Sequence, residues 1–337
     1  MRKMTRDQSS WRAIAFGLLC AIAFPAMAAD HAGVNLFTVG DWGIDSPDRR
    51  AVADAMAGRA GITGSNPDAV LLLGDNFYVK LADVNDPQIT DFFEKTYDSG
   101  RLNVPFFAVL GNHDYKGNDD AIELSYAGRG NTRFKLPARW YRLEIPAEKP
   151  LVTLLMLDSN QPLMSPAQWT AELAWLESEL AKPHAPWLIC CAHHDIFGNG
   201  GHGDNGVLMT TWGPLFKKYH VDFYVCGHEH TLQHLEVADW STSFVIAGGG
   251  GAKRKPMLRD ARGPFSKSTL GFASFHFDPE SATVQLIDDK GAILHAFTRT
   301  LAGKIDVTLT TPSDKATTRP LRVINDIGDK PGKGFGD

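Results

Sequence analysis

Short apolar runs that end in glycine or in a polar cluster recur along most of the chain. Seven of them are typical of buried strands: VNLFTVGDWG, AVLLLGDNFY, VPFFAVLGNHDY, LVTLLMLDSN, PWLICCAHHD, VDFYVCGHEH and TSFVIAGGGG. Helical spacing predicts a helix over Asp48–Arg59, and a second helix over Ala167–Lys182 that follows Ser165 as N-cap and Pro166 at its first position. Strands that alternate with helices indicate an α/β architecture with a largely parallel sheet, covered on both faces.

The C-terminal part of the chain has a different pattern. The runs FASFHF, ATVQLI and AILHAFTR predict antiparallel strands, and Asp288–Gly291 joins the last two. From about Lys304 onward Thr, Pro, Lys and Gly dominate, which predicts a loosely ordered tail over residues 304–337. No repeat or linker interrupts residues 30–303, so we expect one domain there.

Residues 1–28 have the pattern of a secretory signal peptide. A basic start precedes the apolar run Ala13–Phe24, and Ala26-Met27-Ala28 supplies a small-x-small cleavage signature. A membrane anchor is the weaker alternative, because a spanning helix needs roughly 20 apolar residues. We therefore expect a periplasmic or secreted protein that does not associate with the membrane after cleavage.

The net charge argues against nucleic-acid binding, and the positions of the cysteines argue against a disulfide framework. Loss of residues 1–28 would leave 30 basic and 38 acidic residues. An acidic protein is a poor candidate for nucleic-acid binding, which depends on basic surface. Cys190, Cys191 and Cys226 lie in apolar strand-like runs, where cysteine is usually a small buried hydrophobe, so no disulfide framework is expected.

Five of the predicted strands end in side chains that bind metals. In open α/β sheets, ligands gather at the carboxyl ends of strands. Oxygen and nitrogen donors without a thiolate suit Fe, Zn or Mn. One such end is more often an ordinary turn, and a lone buried histidine is usually part of a core, but five ends in this order predict a metal site. These ends carry Asp41; Asp75, Asn76 and Tyr78; Asn112, His113 and Asp114; His193 and His194; and His228 and His230.

Glycine directly precedes the first polar residue at four of the five ends. These are Gly40, Gly74, Gly111 and Gly227. Glycine permits a sharp turn and a close approach of backbone to a site, so we expect the chain to turn tightly around the metals.

The series GDWG, GDNFY, GNHDY, AHHD and GHEH resembles the calcineurin-type metallophosphoesterases. Within them it is most similar to the purple acid phosphatases of the small, tartrate-resistant type, over roughly Val34–Gly251 and including the motif spacing. The tyrosine of GDNFY separates purple acid phosphatases from the wider superfamily. The resemblance implies a four-layer sandwich in which helices flank two mixed β-sheets. It also implies an acid phosphatase that hydrolyses phosphate monoesters by attack of a metal-bound hydroxide.

The resemblance also implies roles for individual residues. A ferric ion would be held by Asp41, Asp75, Tyr78 and His230. Asp75 would bridge to a divalent Fe, Zn or Mn ion that is also held by Asn112, His193 and His228. His113 and His202 match the two histidines that hold the phosphate and protonate the leaving oxygen.

One motif departs from the family. His194-Asp195 stands where the family commonly has tyrosine-proline. An extended backbone would point His194 away from His193, so we expect a structural role for His194. Asp114 is expected either to orient His113 or to cap its turn.

Other functions remain open from the sequence. A phosphodiesterase or nucleotidase could use the same metals, and an iron protein could have redox, peroxidase-like activity instead. A binding module without metal fits the complete ligand set less well. Phosphorylated small molecules or phosphoproteins are the expected partners of a monomeric protein.

Overall fold

The computed structural model describes residues 33–315 except for 63, 117–118 and 260–261. The predicted signal peptide over residues 1–28, and the predicted tail from residue 316 onward, lie outside the described residues.

The strands and helices follow one another largely as the pattern predicts. In chain order the strands are β1 (Val34–Val39), β2 (Ala69–Leu73), β3 (Phe106–Val109), β4 (Phe134–Lys135), β5 (Tyr141–Ile145), β6 (Val152–Met156), β7 (Trp187–Cys191), β8 (Phe223–Cys226), β9 (Leu232–Glu236), β10 (Ser243–Ala247), β11 (Phe265–Lys267), β12 (Gly271–Phe277), β13 (Ser281–Asp288), β14 (Ile293–Thr300) and β15 (Ile305–Thr310). The helices are α1 (Pro47–Ala60), α2 (Pro87–Ile89, continued by a wider turn over Thr90–Glu94), α3 (Asp119–Ala127), α4 (Pro166–Leu180), α5 (Gly206–Thr211) and α6 (Gly213–Tyr219), with one tighter turn over Gln161–Leu163.

The strands form two mixed sheets. One has eight strands in the order β15-β14-β13-β12-β1-β2-β3-β4, and the other has seven in the order β11-β9-β10-β8-β7-β6-β5. The single, largely parallel sheet inferred from the pattern is therefore wrong. Each sheet contains a block of parallel strands, β1-β2-β3-β4 at one end of the first and β6-β7-β8-β10 in the middle of the second, with antiparallel strands next to it. Strands that are apolar on both faces fit one sheet covered by helices on both sides, and they also fit two sheets packed face to face. In the second case one face of each strand is covered by the other sheet and the opposite face by helices.

The two sheets pack against each other through aromatic side chains. Trp187 on β7 lies 5.6 Å from Phe277 on β12, between ring centroids, and Phe223 on β8 lies 5.7 Å edge-on from Phe275. These rings belong to one large core that spans both sheets. Burial of aromatic rings in edge-on contact stabilises such an interface beyond the area removed from water.

Helices cover the outer faces of both sheets. Val52 and Met56 of α1 are buried in the large core, on the eight-stranded sheet. Leu176 of α4, Leu208 of α5 and Phe216 of α6 form a second core on the seven-stranded sheet. The resulting order of helix, sheet, sheet and helix confirms the four-layer sandwich.

A serine caps both predicted helices: Ser165, as expected, for α4, and Ser46, which the sequence pattern did not single out, for α1. Ser46 Oγ accepts from Arg49 N at 3.1 Å and precedes Pro47 at the start of α1. Ser165 Oγ accepts from Gln168 N at 3.3 Å, and Gln168 Oε1 accepts from Ser165 N at 2.8 Å. Each cap satisfies amide groups that have no partner within the first helical turn.

The C-terminal strands are confirmed as antiparallel, and one more follows them. Ile305–Thr310 pairs with β14 as edge strand β15. The predicted loose tail is therefore wrong for these residues, although most of their side chains are exposed. Their β-branched side chains favour a strand, and the edge of β14 supplies the hydrogen-bonding partner.

Two further expectations concern described residues. Cys190, Cys191 and Cys226 are buried and unbonded, as the sequence predicts. Among the residues that the structure describes, no helix has the length and apolar character to cross a membrane.

Candidate metal centre

The polar strand ends of both sheets meet at one place. His193 follows β7 of the seven-stranded sheet, and its Nδ1 donates to Leu73 O at the end of β2 at 2.9 Å. Gly40 after β1 and Gly227 after β8 approach so closely that a Cβ on Gly40 would lie 3.0 Å from Gly227 Cα. The absence of side chains at these two glycines therefore allows the strand ends of the two sheets, and the ligands that follow them, to come together.

The first cluster contains Asp41, Asp75 and His230, whose donor atoms all lie within 4.8 Å of one another. Tyr78 Oη completes it, 3.3 Å from Asp41 Oδ1 and 3.1 Å from His230 Nε2. His230 Nδ1 donates to Lys253 O at 2.7 Å, which leaves Nε2 facing Asp41 at 3.3 Å. These four residues are the predicted ferric ligands.

The second cluster is built around His193. Its Nε2 lies 3.1 Å from Asn112 Oδ1, 3.1 Å from His228 Nδ1 and 3.4 Å from Asp75 Oδ1. Asp75 therefore lies between the two clusters. The structure brings together all seven predicted ligands.

The two predicted proton donors, His113 and His202, contact different predicted ligands. The His113 ring lies 4.1 Å from the Tyr78 ring, and the His113 amide donates to Asp75 Oδ1 at 2.9 Å. The His202 ring lies 3.9 Å from the His228 ring. His113 thus lies beside the first cluster and His202 beside the second.

Comparison with known proteins agrees with this arrangement. The family model for calcineurin-like phosphoesterases matches residues 36–232, which is more than half of the chain. The chain belongs to the calcineurin-like phosphoesterases.

Its similarity to individual proteins defines the branch of this family. Tartrate-resistant acid phosphatase type 5 of Rattus norvegicus is 30% identical over 273 residues, covering 74% of this chain and 80% of the relative. GAP50, the anchor in the inner membrane complex of Plasmodium, superimposes with a TM-score of 0.70 at 22% identity, covering 84% and 91% of the two chains. The purple acid phosphatase PPD1 from Lupinus luteus has a TM-score of 0.64 at 18% identity, covering 86% and 57%. The two structures bear on the fold alone.

The resemblance to the purple acid phosphatases is confirmed. This phosphoesterase is a metal-dependent phosphoric monoester hydrolase of the acid phosphatase type.

The ionisation of the first cluster fits a cation. Burial alone would raise the pKa of Asp75, but His193, His113 and the His113 amide lower it to about 2. Burial together with Asp75 and Asp41 raises the pKa of Tyr78 well above its ordinary value. Two nearby buried carboxylates disfavour ionisation of the Tyr78 hydroxyl. Tyr78 would become a phenolate only when a cation lies between it and these carboxylates.

The pKa values and hydrogen bonds of the predicted histidine ligands also bear on how they would bind a cation. Burial lowers the pKa of His228 well below its ordinary value, which keeps a lone pair available. The pKa of His230 is raised, because Asp41 more than offsets burial, so a cation bound there would displace a proton. In both His193 and His230 a backbone carbonyl accepts from Nδ1, an arrangement common among metal-binding histidines.

Four of the predicted ligands have left-handed backbone conformations. The φ angles are 60° at Asp41, 52° at Asp75, 68° at His228 and 49° at His230. Such conformations are strained for residues other than glycine and cluster at functional sites. The sequence predicted sharp turns at the preceding glycines, yet of those four only Gly74 has a positive φ, at 83°.

The other glycines provide the close approach that the sequence predicted. A Cβ on Gly111 would lie 2.3 Å from both the amide nitrogen and Oδ1 of Asp75. A Cβ on Gly227 would lie 2.7 Å from Asp41 Oδ2. Neither position has room for a side chain, so these glycines allow the two carboxylates to reach the centre.

His194 was expected to point away from His193, and that prediction is wrong. Its ring centroid lies 4.9 Å from that of His193 and 4.4 Å from that of His228. β7 ends at Cys191 and the chain bends at His193 and His194, so the alternation of side chains along the strand stops there.

Two lysines beside the predicted proton donors were missed by the sequence analysis. Lys116 Nζ lies 3.1 Å from His113 Nδ1 and 3.2 Å from Nε2. Lys255 Nζ is in direct contact with His202 Nε2. The basic run Lys253-Arg254-Lys255, separated from the four glycines only by Ala252, was the available signal for the second lysine.

A buried carboxylate holds the loop that carries His202. Glu229 Oε1 accepts from the amides of His202 at 2.7 Å and Gly203 at 3.1 Å. Burial raises the pKa of Glu229 to about 7, against the opposing effect of Lys255 and these amides. Its position between two ligands in GHEH was a signal that it faces the opposite side from them.

Asp114 caps its turn, which was one of its two expected roles. Its carboxylate accepts from Gly111 N at 2.7 Å and Phe77 N at 3.0 Å. Asn76 Nδ2 also donates to it at 3.2 Å. Asp114 thereby links the turns after β2 and β3, which carry Asp75 and Asn112.

Proposed function

We propose that this phosphoesterase is an exported phosphatase with a binuclear metal centre that hydrolyses phosphate monoesters. The observation that carries the proposal is the position of Asp75, an ionised carboxylate between two clusters of donor atoms. Export rests on the signal-peptide pattern of residues 1–28.

The two clusters differ in chemistry, which supports two different ions. Carboxylates and a phenol dominate the cluster of Asp41, Asp75 and Tyr78, and such oxygen donors suit a ferric ion. Imidazoles and an amide dominate the cluster around His193, which suits divalent Fe, Zn or Mn. When bound, such ions polarise the phosphoryl group and supply a nucleophile from water at acidic pH.

The remaining steps fall to side chains of this chain. His113 lies beside Tyr78 and His202 beside His228, where they can hold phosphate oxygens by hydrogen bonds. One of them must deliver a proton to the leaving oxygen when that oxygen would otherwise depart as an alkoxide. We assign this step to His202, which Glu229 holds through the backbone.

Positive charge around the centre supports an anionic substrate. Lys116 and Lys255 flank the two histidines, in a protein whose net charge is −5. A cavity of about 300 Å³ beside Tyr78 and His113 is also lined by Lys80, Lys116 and Asp119, so two lysines face one carboxyl group there. Its size and charge suit a small phosphorylated molecule or the phosphorylated side chain of a protein.

The function is tested with two chromogenic substrates. Purified protein should hydrolyse p-nitrophenyl phosphate much faster than its bis ester, with two metal ions per chain by metal analysis. A preference for the bis ester would instead establish a phosphodiesterase. Iron-dependent peroxidase turnover without phosphate release would identify the redox alternative.

Tyr78→Phe tests the ferric assignment. A phenolate bound to Fe(III) absorbs visible light by charge transfer, so the oxidised wild type should be violet to pink. Tyr78→Phe should lose this band while Asp41, Asp75 and His230 still hold iron. The absorption spectra of both proteins are compared with their iron contents. A colourless wild type with a full equivalent of ferric iron would contradict the assignment.

A further inference from the structure

His194 carries an unused donor atom at the metal centre. Its side chain is 2% exposed, and Nε2 has no hydrogen-bond partner. The donor atoms of His193, His194 and His228 all lie within 4.8 Å of one another. A third imidazole is therefore close to the two that we assign to the divalent ion.

Ser159 holds the His194 ring in place from its other side. Ser159 Oγ lies 2.8 Å from His194 Nδ1 and accepts from the His194 amide at 2.9 Å. Ser159 is itself buried and lies three residues after β6 ends at Met156. Histidines that bind metals usually have their second ring nitrogen fixed by such a partner, which orients the first.

A structural role is the competing explanation, and the chain contains an example of it. His295 is also buried and also has one unpartnered ring nitrogen, Nδ1. Its ring stacks on Phe265 at 5.0 Å, and its Nε2 lies 2.9 Å from His234 Nδ1. An unpaired buried nitrogen alone therefore does not make a ligand.

The surroundings distinguish the two histidines. Phe265 and Phe297 lie near the His295 ring, whereas the His194 ring lies beside His193 and His228. Burying a polar atom without a partner is destabilising, and an aliphatic side chain could pack beside Ser159 without that loss. A bound cation at this cluster would give His194 Nε2 its missing partner.

We propose that His194 is a third histidine ligand of the divalent ion, together with His193 and His228, and that it makes this position prefer Zn or Fe over Mn. The inference rests on the binuclear centre proposed above. Imidazole favours Zn and Fe, whereas Mn prefers oxygen donors, so each added nitrogen widens the difference in affinity. Because imidazole is neutral, His194 changes this preference without changing the charge of the cluster.

The test measures metal preference instead of turnover. Protein that retains its ferric ion is depleted of the divalent ion, and the dissociation constants of Zn²⁺ and Mn²⁺ are measured by competition with a chelator. His194→Tyr, which restores the residue common in the family, should weaken Zn²⁺ binding by about 10- to 100-fold or more and Mn²⁺ binding by less. Ser159→Ala keeps the imidazole and should shift the ratio of the two affinities in the same direction by a smaller factor.

His295→Gln is the matched control, because it removes a buried histidine with an unpartnered nitrogen whose ring packs against His234, Phe265 and Phe297 and not against a proposed ligand. It should lower the melting temperature and leave the ratio of Zn²⁺ to Mn²⁺ affinity unchanged. If His194→Tyr does not fold, Ser159→Ala carries the test, and an unchanged ratio in that variant overturns the proposal. An unchanged ratio in folded His194→Tyr with two metals overturns the His194 assignment alone. A wild type that takes up only one metal overturns the binuclear centre and this assignment together.

Discussion

Asp75→Asn should abolish hydrolysis and reduce the metal content below two ions per chain. Asp75 is the one residue that we assign to both ions, and its low pKa means that it is a carboxylate across the working range of pH. Asparagine has the same shape and can still accept from the His113 amide through Oδ1, which Asp75 does at 2.9 Å. The substitution therefore removes the negative charge and keeps the local backbone bond. We expect a loss of more than about 100-fold, the upper range for losing even an outer partner of a metal ligand.

Metal analysis and steady-state kinetics on the same preparation measure both effects. Asp222→Asn is the matched control, because Asp222 is also buried and accepts a backbone amide, from Leu188 N at 3.0 Å. Its other contact is Arg299 at 3.5 Å, so its loss should cost stability and leave both metals bound. Two metals per chain and near-normal turnover in Asp75→Asn would remove Asp75 from the position between the ions.

His202→Ala should impair hydrolysis of alkyl phosphates far more than that of aryl phosphates. A nitrophenolate leaves without protonation, whereas an alkoxide needs a proton, and general acid catalysis contributes about 10²- to 10⁴-fold. Burial and Lys255 hold the pKa of His202 well below its ordinary value, so the free protein keeps the ring neutral. A phosphate dianion bound beside the ring raises its pKa, which favours the protonated donor only in the complex.

The measurement is kcat/KM on p-nitrophenyl phosphate and on an alkyl phosphate, for wild type and His202→Ala. The exposed residue His184 supplies the control variant His184→Ala, which should match wild type on both substrates. Equal losses on the two substrates in His202→Ala would assign this histidine to phosphate binding and leave proton donation to His113.

The fold class was predictable from the sequence because apolar runs and their polar ends are local features. The same runs could not show how many sheets they form. Trp187 and Phe277 are each apolar positions in a strand, and only the tertiary structure shows that they face each other between two sheets. The edge strand Ile305–Thr310 was missed because its residues are mostly exposed and follow the predicted end of the domain.

The centre itself was predictable because its residue types and spacing match a known family. The failure at His194 has a local cause. Alternation of side chains holds only within a strand, and the strand ends at Cys191, two residues before His193. For Lys116 there was no comparable signal, and the basic run around Lys255 was a weak one, because lysines are common on surfaces and the position of these two beside His113 and His202 depends on loop conformation.

The left-handed backbone at four of the ligands limits how this centre could be moved into another protein. Aspartate, asparagine and histidine are the residues other than glycine that most readily adopt this conformation, and the four positions are occupied by Asp41, Asp75, His228 and His230. A scaffold with ordinary strand ends would direct the same side chains elsewhere, even with each residue at the correct distance. A designer who grafts this centre must therefore transfer its turns together with its ligands. Glutamate or cysteine at these positions would meet a backbone that disfavours them before any metal is bound.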